Sequence, residues 1–378
     1  MRVSIIIVSY NCRDYLIGCL ESVYAAPTQT GYEVIVVDNA SPDDTAKVVP
    51  ARFPQVRWIQ SEVNGGFSHA NNQGIAAAQG EYLLLLNPDT LVLDNAIDRM
   101  VRFMDEKVSA GACGCRVLNE DGSLQPTYFG FPTLLKDFGH LLRLDRRWVR
   151  DRISRSRLLP KLSSRNLAVL TELKAVTPVD FLLGACLMVR RSALEKVGML
   201  DDRMFMYSEE AEFCYRLHQH GFGVYYLPEG RVVHFGGQST RTASDRMLLE
   251  YNRSRLYFDR RCHGWLHTAA LKGILAADML LRLASLCIRD PQSEIGTINS
   301  RYRAAPSTAV QARRPRAATA RLYLNILREI VFNRAQPDGA EKPQVKVLEA
   351  PARNLRSPET TSAADSGSPA EIHKQPTR

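Results

Sequence analysis

Disulfide chemistry is the first thing this sequence does without. Its eight cysteines, at 12, 19, 113, 115, 186, 214, 262 and 287, form no C-x-x-C pair and no regular framework in 378 residues. A chain of that length can bury a sizeable core without staples, so the cysteines read as reduced thiols in a cytosolic setting. Two nucleotide fingerprints are also missing. No G-x-G-x-x-G opens the first helix and no G-x-x-x-x-G-K phosphate loop occurs, which leaves carboxylates and a metal to hold any nucleotide. Basic residues occur without interleaved aromatic stacking repeats, which argues against a nucleic-acid partner. The one stretch of membrane-spanning length, 266 to 288, is interrupted by Lys272, Asp278 and Arg282, and charges at a bilayer centre are costly. The first apolar run, Val3 to Val8, turns polar at Ser9-Tyr10-Asn11. It is shorter than a signal-peptide core and reads as a strand, with no export by that route.

What is present suits a large globular α/β chain: 45% apolar residues and a net charge of +9. The charge calls for an anionic partner but says nothing of fold. Residues 3 to 8 form a continuous β-branched run, the pattern of a strand buried on both faces. Tyr15, Leu16, Cys19, Leu20 and Val23 follow at helical spacing. Val34 to Val37 is a second buried strand, ending in Asp38. Ser41-Pro42-Asp43-Asp44 then predicts a helix capped by Ser41. Arg57 to Gln60 is a third strand, and Asn64-Gly65-Gly66-Phe67 a turn whose glycines permit positive φ. After a helix over 69 to 78, Glu81 to Leu86 forms the fourth strand and ends abruptly in Asn87-Pro88-Asp89. Four strands alternating with helices predict a Rossmann-like, mostly parallel sheet with helices on both faces. Ser9, Asp38, Asn64 and Asp89 then gather at its carboxyl edge, where such sheets bind ligands.

Further on, Asn119 to Gly122 predicts a tight turn. Nine Lys or Arg residues lie between 143 and 165, within a basic amphipathic insert of about 135 to 175 that suits a membrane or an anionic acceptor. Val179 to Val189 reads as a strand opened at Gly184-Ala185-Cys186. Ser208 is placed to cap a helix carrying Glu209, Glu210 and Glu212. At 100° per residue Glu210 shares a face with Phe213, Cys214 and Leu217, the expected buried face, whereas Glu209 and Glu212 share one with Arg216. An inward carboxylate at a helix start is better explained by chemistry than by stability. Asp278, Arg282, Ser285 and Arg289 fall in one narrow sector and leave the rest of the circumference apolar, so this reads as an amphipathic helix lying on a membrane or a partner. From about 301 to 378 the composition predicts a disordered tail.

Taken together, these stretches resemble the family 2 glycosyltransferases of the GT-A fold, in particular their rhamnosyltransferase-like branch. The resemblance rests on Ser4 to Asn11, Val37 to Thr45, Asn64 to Phe67 with Asn71 to Gly74, Asn87-Pro88-Asp89, Gly184-Ala185 with Arg190-Arg191, Phe205 to Arg216, and His234 to Thr240. It spans residues 1 to about 260 and implies a catalytic domain over 1 to 240, followed by a helical membrane- or partner-associating region over 241 to 300. It implies that Ser9, Tyr10, Asn11, Asp38, Asn39, Asn64, Phe67, Asn71 and Asn87 hold a nucleotide-sugar donor. Asp89 and His234 would hold Mg2+ or Mn2+. Glu210 would be the base of an inverting transfer, with Glu209 in reserve, and Gly184, Ala185, Glu212 and Arg216 would face the acceptor. Where the family usually reads Glu-Asp-x-Asp, this chain reads Glu209-Glu210-Ala211-Glu212. Asn87 in place of the first Asp tilts the donor towards dTDP-rhamnose, with a UDP-hexose or UDP-N-acetylhexosamine as the alternative donor. The acceptor is expected to be a glycan or lipid-linked glycan at the cytoplasmic face of a bacterial membrane, and an oligomer is allowed. A reading of another class is a basic, membrane-associated scaffold without activity.

Overall fold

The structure is a computed structural model that describes residues 1–142, 173–236, 244–286 and 315–332. The basic run of 143 to 165, Arg289 and the end of the 234 to 240 stretch lie outside them. In chain order the elements of the first half are β1 (Val3–Ser9), α1 (Arg13–Ala25), β2 (Tyr32–Asp38), α2 (Thr45–Arg52), β3 (Arg57–Gln60), α3 (Gly66–Ala77), β4 (Tyr82–Leu86), β5 (Thr90–Leu93), α4 (Ala96–Glu106) and β6 (Ala110–Leu118). There follow β7 (Tyr128–Phe129), α5 (Leu134–Leu141), β8 (Thr177–Pro178), β9 (Phe181–Leu182), β10 (Cys186–Arg190), α6 (Arg191–Val197), α7 (Glu209–Gln219) and β11 (Gly223–His234). Three helices close the described chain: α8 (Ser244–His263), α9 (Trp265–Ser285) and α10 (Arg316–Phe332).

The central sheet runs β3-β2-β1-β4-β10-β6-β11-β5, with β8 on β11. β1 to β4 are mutually parallel, and β10 enters antiparallel between β4 and β6. Successive side chains of β1 go to opposite faces. Ile5 and Ile7 pack with α1, α2 and α4, whereas Ile6 and Val8 pack with α3, α6 and α7. Both faces are thus covered, which is why the strands read as unbroken apolar runs.

The pattern of the opening helices holds, but their starts differ. α2 begins at Thr45, and Ser41 does not cap it; its hydroxyl and N–H instead donate to Asp38. That local bond competes with capping. Ser208 does precede α7, but in a left-handed conformation without a side-chain capping bond. The turn over Asn119 to Gly122 forms as expected, with Gly122 at φ +78°.

One expectation for the C-terminal half is overturned. The supposed disordered tail contains α10, whose Leu322, Tyr323, Ile326 and Ile330 build a third core with Leu256, Leu271, Leu275 and Met279. The composition of 301 to 378 as a whole hid an apolar stripe at helical spacing inside it. The polar sector of α9 is turned inwards, and its apolar remainder is left outside. Asp278 and Arg282 are only 2% and 5% exposed and bond to each other at 3.0 Å. They face inwards because each satisfies the other four residues along, while Leu266, Leu280 and Leu281 lie outside. A second buried ion group, Arg255 between Asp137 at 2.9 Å and Asp259 at 2.5 Å, ties α8 to α5. Such groups specify one arrangement more than they add net stability.

Candidate active site

The carboxyl edge of β1 to β4 does collect the expected polar groups, with unequal access. Asp38 is fully buried, and its carboxylate accepts from Gln60 Nε2 at 2.7 Å, from Ser41 N at 3.1 Å and from the Ser41 hydroxyl. Gln60 was not anticipated, though its strand register puts it directly beside Asp38. Ser9 is also fully buried, its hydroxyl 3.5 Å from Cys12 Sγ. Tyr10 is half-buried and Asn11 exposed, at φ +50° with its N–H on Ser41. Of the β1 end, Tyr10 and Asn11 line the open rim.

The next group supports rather than faces a ligand. Asn39 donates to Asn64 Oδ1 at 2.9 Å and to the Gly66 carbonyl at 3.2 Å, and accepts from Gly65 N at 3.1 Å. Asn71 is 1% exposed and donates back to the Phe67 carbonyl at 2.9 Å. The expected donor contacts from Asn39 and Asn71 are thereby spent on fixing the loop that starts α3. Gly66 has φ +87°, and a Cβ there would lie 2.2 Å from the Phe205 carbonyl oxygen, so only glycine fits. Phe67 N–H donates to that same carbonyl at 2.8 Å, locking the loop to the segment before α7.

At the end of β4, the Asn87-Pro88-Asp89 turn leads straight into β5. The register of β5 on β11 sets Thr90 opposite His234, so His234 meets Asp89. Its Nε2 is 3.2 Å from Asp89 Oδ1 and 3.2 Å from Asn87 Nδ2, while Nδ1 is 2.6 Å from Gln125 Oε1. An amide oxygen only accepts, so Nδ1 carries the proton, an assignment made from the bonding pattern. Gln125 is held in turn by Asn119 Oδ1 at 2.9 Å. Nε2 then accepts from Asn87 Nδ2 and lies beside the Asp89 carboxylate, so two electron-rich ligand atoms stand side by side where a cation would fit. Among the described residues no group of three or more His, Cys, Asp or Glu side chains could hold a metal by itself. A hard cation that keeps water and substrate phosphates as most of its ligands needs only one or two protein groups. Asp89 and His234 fit it, with Gln125 fixing the imidazole from behind. Sequence reasoning missed Gln125, which lies in a turn with no motif.

The other side of the site is joined to this one by backbone. Asn87 N–H donates to the Ala185 carbonyl at 3.1 Å, and Gly184 N–H donates to Glu210 Oε1 at 2.8 Å. Ala185 is buried; Gly184 is bare where Glu210 crosses it, a Cβ there lying 2.7 Å from Oε1. The buried-face assignment for α7 needs correction. Glu209 and Glu212 are the deeply buried acids and Glu210 is half-buried, because α7 is covered by α8 as well as by the sheet side. Glu212 accepts from Arg216, as the spacing predicted, and from Arg261 Nε at 2.7 Å. Arg216 also bonds the carbonyls of Val197, Gly198 and Met199. These two lock α6, α7 and α8 together.

Burial pushes Glu210 above the ordinary carboxylate range, and the Gly184 N–H pulls it back down. Glu209 is pushed well above that range, first by burial and then by the charge of Glu210. Of two adjacent carboxyls, the one bonded to a backbone N–H is raised less, so Glu209 is the more readily protonated of the pair and Glu210 the more readily charged. The kink before them, Tyr207 at φ +72° and Ser208 at φ +65°, is strained for both residue types.

Comparison with known proteins fits this architecture. The profile described as Glycosyl transferase family 2 matches residues 4–198, and one described as Glycosyl transferase family group 2 matches 162–305. The chain belongs to glycosyl transferase family 2. This transferase is 27% identical over 313 residues to the N-acetylglucosaminyl-diphospho-decaprenol L-rhamnosyltransferase of Mycobacterium tuberculosis, covering 79% of this chain and 98% of that one. It is 27% identical over 247 residues to the rhamnosyltransferase WbbL of Escherichia coli K12, covering 64% and 86%. It is a rhamnosyltransferase-like member of the family. Its fold is similar to the mannosyltransferase PcManGT of Pyrobaculum calidifontis, solved with GDP-Man and Mn2+, at TM-score 0.50 and 16% identity, covering 87% of this chain and 86% of that one. GalNAc-T7, solved with UDP, GalNAc and Mn2+, gives TM-score 0.52 at 16% identity, covering 80% and 55%. The fold of the transferase is GT-A.

Proposed function

We propose that this glycosyltransferase moves rhamnose from dTDP-rhamnose, with inversion and with a divalent cation, onto a lipid-linked or polysaccharide acceptor at the inner face of a cell membrane. The observation that carries the reading is the pairing of two opposed groups through one backbone link. The turn that presents Asp89 to His234 bonds through the Asn87 N–H to the Ala185 carbonyl, and the neighbouring Gly184 N–H bonds Glu210. Inversion needs a base on the acceptor side, opposite the leaving group. Glu210 takes the proton of the acceptor hydroxyl at a carboxylate oxygen, and the Gly184 N–H keeps that carboxylate charged and aimed. Asp89 and His234 would hold Mg2+ or Mn2+. A divalent cation there neutralises charge on the departing nucleoside diphosphate. Pro88 stiffens the turn that presents Asp89, so the two sides keep their separation during transfer. Tyr10 and Asn11 form the rim over the base end of the donor, with Asp38 and Gln60 beneath.

The lipid-linked acceptor and the rhamnosyl donor follow the names of the relatives. Incubation with dTDP-rhamnose, UDP-glucose or UDP-N-acetylglucosamine and Mn2+, scored by nucleoside diphosphate release, tests the reading. Release from dTDP-rhamnose above the UDP-sugars is expected. Preference for a UDP-sugar would transfer the reading to the hexosyl alternative, and no release from any donor with a polyprenyl-diphosphate acceptor present would contradict it.

A further inference from the structure

The outer surface of α9 carries more apolar area than a solvated helix keeps. Leu266 is 67% exposed, and Leu280 and Leu281 are more than half exposed. Between them Ala269, Ala270, Gly273 and Ala284 are exposed too. On the helical wheel these residues fall in one sector of about 120° that contains no charged side chain, running the length of a helix about 30 Å long. The charges of α9 lie elsewhere: Asp278 and Arg282 are buried against each other. The outer face of the adjoining α10 carries Leu324, Val331 and Phe332, the last 76% exposed. It adds Arg321 and Arg328, both exposed and seven residues apart on that same face. The acid of α10, Glu329, is turned to Arg253 at 2.8 Å. No carboxylate therefore accompanies the arginines on this outer face among the described residues.

We propose that the outer faces of α9 and α10 form one docking surface for an anionic lipid bilayer, the leucines entering the acyl boundary and Arg321 and Arg328 meeting the headgroups. This rests on the reading of the chain as a transferase that works at a membrane. Among the described residues no helix is long and apolar enough to cross a membrane, so the contact is one of lying on the surface. The charge pattern separates lipid from a second copy of the chain. A two-fold dimer would set this patch against itself and bring the arginines together with no acid to answer them. An anionic headgroup layer supplies that answer.

The test is sedimentation of the full chain with vesicles of equal parts phosphatidylglycerol and phosphatidylcholine, and with phosphatidylcholine alone. The expected result is pelleting with the anionic vesicles, lost by about tenfold or more in Leu280→Asp/Leu281→Asp and in Arg321→Glu/Arg328→Glu. The replaced side chains are all exposed, and thermal melts that match the parent establish that both variants fold. Pelleting unchanged by both variants overturns the proposal, as does a parent that stays in solution. A dimer dispersed by the leucine replacement without vesicle binding overturns it in favour of a second copy. Nucleoside diphosphate release is measured in the same preparations. Its absence beside intact vesicle binding would strike the transferase reading and leave the surface standing.

Discussion

Replacing Gly184 with Ala isolates the link between backbone and base. Gly184 has no left-handed φ, so alanine can take its conformation, but the new Cβ would stand 2.7 Å from Glu210 Oε1 and 3.1 Å from Phe67 Cζ. Ordinary contact begins at 3.4 Å, so the carboxylate must retreat by about 0.7 Å. That retreat breaks or stretches the 2.8 Å bond from Gly184 N–H. A hydrogen bond to a charged group contributes about 1.5 to 3 kcal/mol. If that stabilisation is felt at the base in the transition state, kcat falls about 10- to 100-fold. The same bond lowers the Glu210 pKa, so its loss moves the acid limb of the pH–rate profile to higher pH. A base works only when unprotonated, so activity at pH 6 should suffer more than at pH 8. Stability should change by less than about 1 kcal/mol, because a flexible carboxylate end can move aside. The assay is steady-state transfer at saturating donor over a pH series. An unchanged kcat with an unshifted acid limb would refute the coupling between Gly184 and the base.

Gln125→Leu leaves the imidazole of His234 without its acceptor, and Mn2+ affinity measured with nucleoside diphosphate present should fall about 10- to 100-fold; equal affinity would show that His234 needs no such support. Glu209→Gln should stabilise the fold at neutral and alkaline pH. Folding raises the pKa of Glu209, so the parent loses stability as pH climbs from the ordinary value near 4.5 through the folded one, and each tenfold gain in proton affinity on folding corresponds to about 1.4 kcal/mol. Below that ordinary value the two proteins should melt alike. A variant less stable than the parent at pH 8 would contradict the neutral assignment. Ile326→Ala, inside α10, should cost about 2 to 5 kcal/mol in denaturant unfolding; no loss would mean that α10 does not share the third core.

The parallel half of the fold was legible because β1 to β4 are buried on both faces and each ends in a polar turn. The metal pair could be named from its residue types, since Asp89 closes a strand and His234 ends another. Their meeting depends on β5 pairing with β11, a non-local register that periodicity does not encode. Gln60 and Gln125 were missed for the same reason, for both act only across strands or turns far apart in sequence. The wheel found the Glu212–Arg216 pair but placed the wrong acid inside, because it assumed that one face of α7 is buried, and α8 covers another. On α9 the narrow polar sector was legible, but not that its charged pair satisfies itself, goes inside and leaves leucines out. The tail was misjudged by averaging composition over 78 residues, which dilutes a 17-residue helix.

The claim at the centre of this account is that Glu210, and not its neighbour, is the base. Glu210→Gln and Glu209→Gln, compared in single-turnover transfer at saturating donor and Mn2+, test it directly. The account predicts a loss of about 10²- to 10⁴-fold for Glu210→Gln with donor binding intact, and near-parental transfer for Glu209→Gln. Turnover that survives the first replacement and fails with the second would contradict it.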